Sequence, residues 1–168
     1  MRRFLTSTFA LFSVSAFAGN SLVNGGFEMG LVGWTNEGAA ISPESSEGEL
    51  GCMIHQDTPH WSGVSQMVAI PDGSKTVHVA GWLRSDSVRG GKGNWERGRL
   101  SVEFHDAKND TVGGYPLAIG QVRGHQVWTR MARVVPIPTD AKSLKLECAL
   151  ANSTGTLYCD DLSVEFER

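Results

Sequence analysis

Basic residues, cysteines, tyrosines and long apolar runs are all scarce in this 168-residue chain, and each scarcity excludes something. Fifteen Lys and Arg stand against 18 acids, a formal charge of −3. Nucleic acid and anionic membranes reward a clustered basic face, so neither nucleic-acid binding nor membrane insertion is expected. The one apolar stretch, residues 4–17, is diluted by Thr6, Ser7, Thr8, Ser13 and Ser15 and falls short of the roughly 20 residues a spanning helix needs. Enzyme signatures are missing too: no H-E-x-x-H, C-x-x-C or G-x-S-x-G, and Gly90-Gly91-Lys92 lacks the spacing of a phosphate loop. The histidines (His55, His60, His78, His105, His125) are scattered, which argues against a transition-metal site. No window sustains a 3.6-residue period, so helices are not expected.

The N-terminus carries an address. Arg2 and Arg3 precede the apolar stretch, which closes on Ala16-Phe17-Ala18, the small–x–small pattern of a signal peptidase site. Residues 1–18 are therefore read as a signal peptide and residues 19–168 as one mature, secreted or periplasmic domain, expected to be a monomer. Without Arg2 and Arg3 the basic residues number 13 against 18 acids, a formal charge of −5. Export means an oxidising compartment, so one disulfide and one spare thiol are expected among Cys52, Cys148 and Cys159. The pairing is a question of strand parity. A regular hairpin turning at Asn152-Ser153-Thr154-Gly155 points Cys148 inward and Cys159 outward, which favours Cys52–Cys159; a single bulge would reverse that parity.

Short alternating apolar runs bounded by Gly, Pro, Asn and Asp predict strands over 21–28, 50–56, 64–70, 75–85, 100–106, 128–136, 143–151 and 156–167. Pro71-Asp72-Gly73, Lys108-Asn109-Asp110 and Pro138-Thr139-Asp140 mark turns. The Gly-rich stretches 36–48 and 88–99 are read as loops. Eight or nine strands in one exported domain of this size predict an all-β fold, a β-sandwich of the jelly-roll kind.

Five tryptophans are many for so short a chain, and an indole suits the apolar face of a sugar ring. Trp34, after a Gly-rich turn, and Trp128, opening a strand, are read as packing residues. Trp82 lies on a strand face with His78, Ala80 and Arg84, opposite the apolar Val77, Val79 and Leu83. Trp61 and Trp95 are placed on loops. Ser101, Glu103 and His105 alternate with Leu100, Val102 and Phe104, and could complete a polar face beside Trp82. For catalysis, Asp160 and Asp161 point to opposite faces and cannot act together, while Glu103 with Glu147 requires neighbouring strands.

Asn24-Gly25-Gly26-Phe27-Glu28 followed by Gly33-Trp34 resembles the opening of carbohydrate-binding modules of the family 4/9/22 type, jelly rolls of the galactose-binding-like superfamily. Val64-Ser65-Gln66-Met67-Val68 through Pro71-Asp72-Gly73, the strand bearing Trp82, and Tyr158-Cys159-Asp160-Asp161-Leu162 continue the likeness to about Glu167. The resemblance implies a structural calcium ion held by Glu28 and Asp160, with loop carbonyls near residues 48–51. It also lends support to Cys52–Cys159, and it implies sugar sites either in a sheet cleft (Trp82, Arg84, Glu103, His105) or on rim loops (Trp61, Trp95). The expectation is a secreted, non-catalytic binder of a polysaccharide or glycan. Its rivals are an envelope or adhesion-type protein-interaction domain and a small polysaccharide-active enzyme.

Overall fold

The computed structural model describes residues 19–168; the signal peptide read at 1–18 lies outside them. Eight strands form in chain order: β1 (Thr35–Glu37), β2 (Ala39–Ser42), β3 (Gly51–Ala69), β4 (Thr76–Gly90), β5 (Gly98–His105), β6 (Thr111–Val122), β7 (Gly124–Pro136) and β8 (Ser143–Glu167). All pairings are antiparallel. The two long strands run through both layers of a sandwich. Residues 143–151 of β8 lie between β5 and the later half of β3, with β6 and β1 outermost. Residues 156–167 of β8 pair with β4, whose other edge holds β7, and Cys52–Gln56 of β3 close that layer with β2.

The stretch around Asn152-Ser153-Thr154-Gly155 is therefore a bend within one strand, where a hairpin was expected. Asn152 and Gly155 take φ of 43° and 100°, and β3 shifts register between Gln56 and Trp61 alongside. The amide and hydroxyl composition that suggests a turn here supplies a bulge, because the ladder to β3 continues on both sides. Other expectations are corrected in the same way. Residues 21–28 form turns rather than a strand, because Asn24 and Phe27 both lie in the left-handed region, at φ 55° and 57°. The Asn24 amide group binds the Gly30 and Val32 carbonyls and accepts from the Met29 amide, which fixes the turn. Strand β6 is an addition to the expected strands, its alternating pattern interrupted by Gly113 and Gly114.

The core is the seam between the layers. Leu100, Val102, Leu144, Leu146 and Leu150 meet Val77, Val79, Leu83, Leu157, Leu162 and Val164 there, all essentially without exposure. Each such side chain contributes about 1.5–3 kcal/mol by leaving water. Trp34 belongs to the core as expected, stacked on Phe27 with ring centroids 5.1 Å apart. Trp128 does not: it is half-buried on the outside and meets Tyr158 edge-on at 6.3 Å.

All three cysteines are buried free thiols, so no disulfide is present among the described residues. The parity argument fails because β8 is one strand: Cys148 and Cys159 both face the core. Cys52 and Cys159 nevertheless stand directly opposite each other across the β3–β8 ladder. The hydrogen bond to Cys159, then burial, pushes the Cys52 thiol far above its ordinary value. Burial is the first cause for Cys148 and Cys159, which also rise. The unfolded chain loses its thiol protons near the ordinary value of 9.0 while the folded one keeps them. The stabilising contribution is thus complete below that pH and is lost as pH rises above it. For the reduced protein we expect stability to fall by up to about 1.4 kcal/mol per pH unit per thiol above pH 9. Urea titrations at successive pH values check this, and Cys148→Ala should show the shallower decline; equal slopes would contradict it.

Candidate functional site

The outer face of the layer built from β6, β5, β8 and β3 carries a groove. Alternation puts Leu100, Val102 and Phe104 of β5 into the core, so Arg99, Ser101, Glu103 and His105 face outward. On β8 the same logic turns Lys145, Glu147 and Ala149 out. Register lines up Gly63, Ala149, Arg99 and Gln121 in one row across four strands. A side chain on Gly63 would strike the Cys148 carbonyl and Ala149, so this position must stay bare for the strands to pair.

Around that row lies a cavity of about 610 Å³, lined by Trp61, Asn94, Trp95, Arg99, Tyr115, Pro116, Ala118 and Gln121. Trp61 is 39% exposed, Trp95 49% and Tyr115 97%, so three aromatic rings meet solvent around one groove. Trp61 sits on β3 itself rather than on a loop, beside the register shift, and its Nε1 donates to Glu147 Oε1 at 3.4 Å. Trp95 is on the β4–β5 loop as expected. That loop is pinned: Glu96 accepts from the Gly93 amide and from Asn152 Nδ2, both at 2.6 Å, and the Ala151 amide donates to the Arg97 carbonyl. Preorganised rings lose less entropy on binding.

Glu103 and His105 share this face but stand further along β5, where a rise of about 3.3 Å per residue puts His105 roughly 20 Å from Arg99. They are occupied with each other. His105 Nε2 lies 2.9 Å from Glu103 Oε1, off the line of a hydrogen bond, and Glu103 also accepts from the Thr111 hydroxyl. Trp82 and Arg84 are elsewhere: they face outward from the opposite layer, so they do not join Glu103 and His105 in one cleft. The expectation fails because β4 and β5, successive in the chain, lie in different layers. Arg84 is internally spent, with Nη1 2.6 Å from Glu44 Oε2, Nη2 3.0 Å from Asp86 Oδ2 and its Cζ 4.6 Å over the Tyr158 ring. Arg99, Tyr115 and Gln121 escaped the sequence reading. Extending the β5 alternation one step back from Ser101 reaches Arg99; nothing comparable points to Tyr115.

Glu28 and Asp160 converge on one loop, at residues 46–50. A register shift with Asp161 at φ 46° turns Asp160 away from the core and under residues 46–47, where it is completely buried. Its Oδ2 accepts from the Ser46 amide and hydroxyl and the Glu47 amide, and its Oδ1 from the Asp161 amide. Glu28 Oε1 accepts from the Glu49 and Leu50 amides, while Oε2 accepts no hydrogen bond from the described residues. Among the described residues no cationic side chain neutralises Asp160, and the donor set is hard oxygen, the kind of ligand calcium takes. Among the described residues no cluster of three or more His, Cys, Asp or Glu could hold a metal, so any further ligands are main-chain carbonyls or water.

No family model matches the chain, and no curated protein does. Solved structures do, and they share its jelly-roll fold. A family 61 module solved with β-1,4-galactotriose superposes with a TM-score of 0.60 at 18% identity, covering 88% of this chain and 98% of that one. A family 16 module gives 0.61 at 21%, covering 86% and 99%, and a xylan-binding family 22 module from Paenibacillus barcinonensis gives 0.58 at 18%, covering 90% and 97%. The enzymatically active domain of a bacteriophage CBA120 tailspike also matches, with a TM-score of 0.70 at 12% identity; there the likeness covers 88% of this chain but 21% of the tailspike chain.

Proposed function

We propose that this chain is an exported, non-catalytic binder of polysaccharide, and that the groove between Trp61, Trp95 and Tyr115 is where the sugar lies. The observation that carries the reading is three exposed aromatic rings around one cavity of about 610 Å³ with polar groups between them. Rings of this kind cover the apolar faces of pyranoses, while Arg99, Asn94 and Gln121 supply hydrogen bonds that orient a chain. An open groove suits a polymer running through it.

The non-catalytic part of the reading is supported by the acids on this face. Hydrolysis needs two carboxylates free to act across a scissile bond. Glu103 is engaged by His105 and Thr111, and Glu147 by Lys145 and Trp61. The test is retention on a panel of insoluble and immobilised polysaccharides, with assay of released reducing ends. Retention without product supports the reading. Product that disappears with Glu103→Gln would make the chain an enzyme, and retention of nothing would favour a protein-interaction domain.

Calcium is part of the same proposal, as a structural ion at Glu28 and Asp160 joining the first turns and the last strand to the loop at residues 45–50. Ligand removal destabilises by the binding free energy it withdraws. Chelation with EDTA is therefore expected to lower the melting temperature by several degrees, and added calcium to restore it. An unchanged melting curve would show that the two carboxylates hold the loop through its amides alone.

A further inference from the structure

The groove floor holds a charge that a neutral sugar does not require. Arg99 is 6% exposed, and its one hydrogen bond to the described residues runs from Nη2 to the Pro116 carbonyl at 3.3 Å. Its Nε is buried without a partner among the described residues. Its neighbours in the row, Gly63, Ala149 and Gln121, carry no charge.

The acids near it are otherwise engaged. Glu147, two register positions along, accepts at Oε1 from Lys145 Nζ at 3.0 Å and from Trp61 Nε1 at 3.4 Å. Its charge favours the Arg99 cation, against burial, which is the larger influence and lowers the guanidinium pKa. Glu96, on the Trp95 loop, uses both oxygens on Gly93 and Asn152. Lys145 is matched by Glu147 and stands across the ladder from Glu103, whereas Arg99 makes no ion pair among the described residues, and Arg133 donates to the carbonyl of Ala118 at the groove margin. A buried cation with no carboxylate in contact is costly until an anion meets it, and a guanidinium fork matches a carboxylate's two oxygens.

We propose that the groove selects acidic polysaccharides, with Arg99 receiving a uronate carboxylate while Trp61 and Trp95 lie against the sugar rings. This rests on the groove being the sugar site and adds the chemical class of the sugar. It also places a locally cationic floor inside a chain of net negative charge, which turns acidic polymers away elsewhere on the surface.

The experiment compares polygalacturonate, alginate and hyaluronan with their carboxyl-reduced forms, which keep the backbone and lose the charge. At least one acidic polymer is expected to bind about tenfold or more tightly than its reduced form, a preference that shrinks as salt is added. Arg99→Gln should abolish the preference and Arg99→Lys restore part of it. Carboxyl reduction alters the ligand rather than the protein, so the result stands even if a variant folds poorly. Equal binding of acidic and reduced polymers, or binding of neutral polymers alone, would overturn the acidic selectivity while leaving the groove as the sugar site. Absence of binding to every polymer of either class would overturn the groove reading, and the selectivity with it.

Discussion

Trp61→Ala and Trp95→Ala are each expected to weaken polysaccharide binding by about 30-fold or more, while Trp82→Ala leaves it unchanged. An aromatic ring at the centre of a binding surface costs on the order of 2 kcal/mol or more when truncated, which is roughly that factor in affinity. Trp61 and Trp95 line one groove and are substantially exposed before any ligand arrives. Trp82 faces outward from the opposite layer, cross-strand from Arg130 and Asp160, so a ligand in the groove cannot touch it. The comparison uses the polymer that the wild type binds most tightly, with circular dichroism to confirm folding. Equal loss from all three variants would mean that binding follows global stability. Loss from Trp82→Ala alone would move the site to the opposite face.

The second large effect concerns stability. Asp160→Ala is expected to lower the melting temperature by about 10 °C, because removing the carboxylate strands the Ser46 and Glu47 amides and the Ser46 hydroxyl. Leaving buried donors without an acceptor costs about 1–3 kcal/mol each when no water replaces it, and a domain of this size shifts about 2–4 °C per kcal/mol. Asp160→Asn retains one acceptor oxygen and should fall between wild type and alanine. Repeating the measurement in EDTA separates two contributions. If calcium is bound there, wild type and variant move towards each other under chelation. A loss for Asp160→Ala that EDTA leaves unaltered assigns the whole effect to the hydrogen bonds. A variant that melts within about 2 °C of wild type would show that neither matters.

The individual strands were legible because alternation is a local property. Leu100, Val102 and Phe104 on one side with Ser101, Glu103 and His105 on the other follow from the two-residue period alone, as do Val77, Val79 and Leu83 opposite Trp82. The Trp95 loop was legible for a similar reason: Gly91, Gly93 and Asn94 cannot sustain a ladder. Parity across the bend in β8 was not legible. One residue in the left-handed region changes which face every later side chain takes, and Asn152, Gly155 and Asp161 are three such positions in one strand. The inward turn of Cys159 and the outward turn of Asp160 both come from there.

What the amino-acid sequence by itself determined is the class: no helices, alternating strands, a two-layer all-β sandwich, and indole rings too numerous to be core alone. Each of these depends on residue type and spacing, which are local. Only the tertiary structure decided which rings share a site. Trp61 and Trp95 are more than thirty residues apart and meet because the β4–β5 loop is tied to the β8 bend through Glu96 and Asn152. Trp82 and Glu103, closer in sequence, are separated because β4 and β5 join opposite layers. Layer assignment is set by which strand pairs with which half of β8, and no local pattern records that choice.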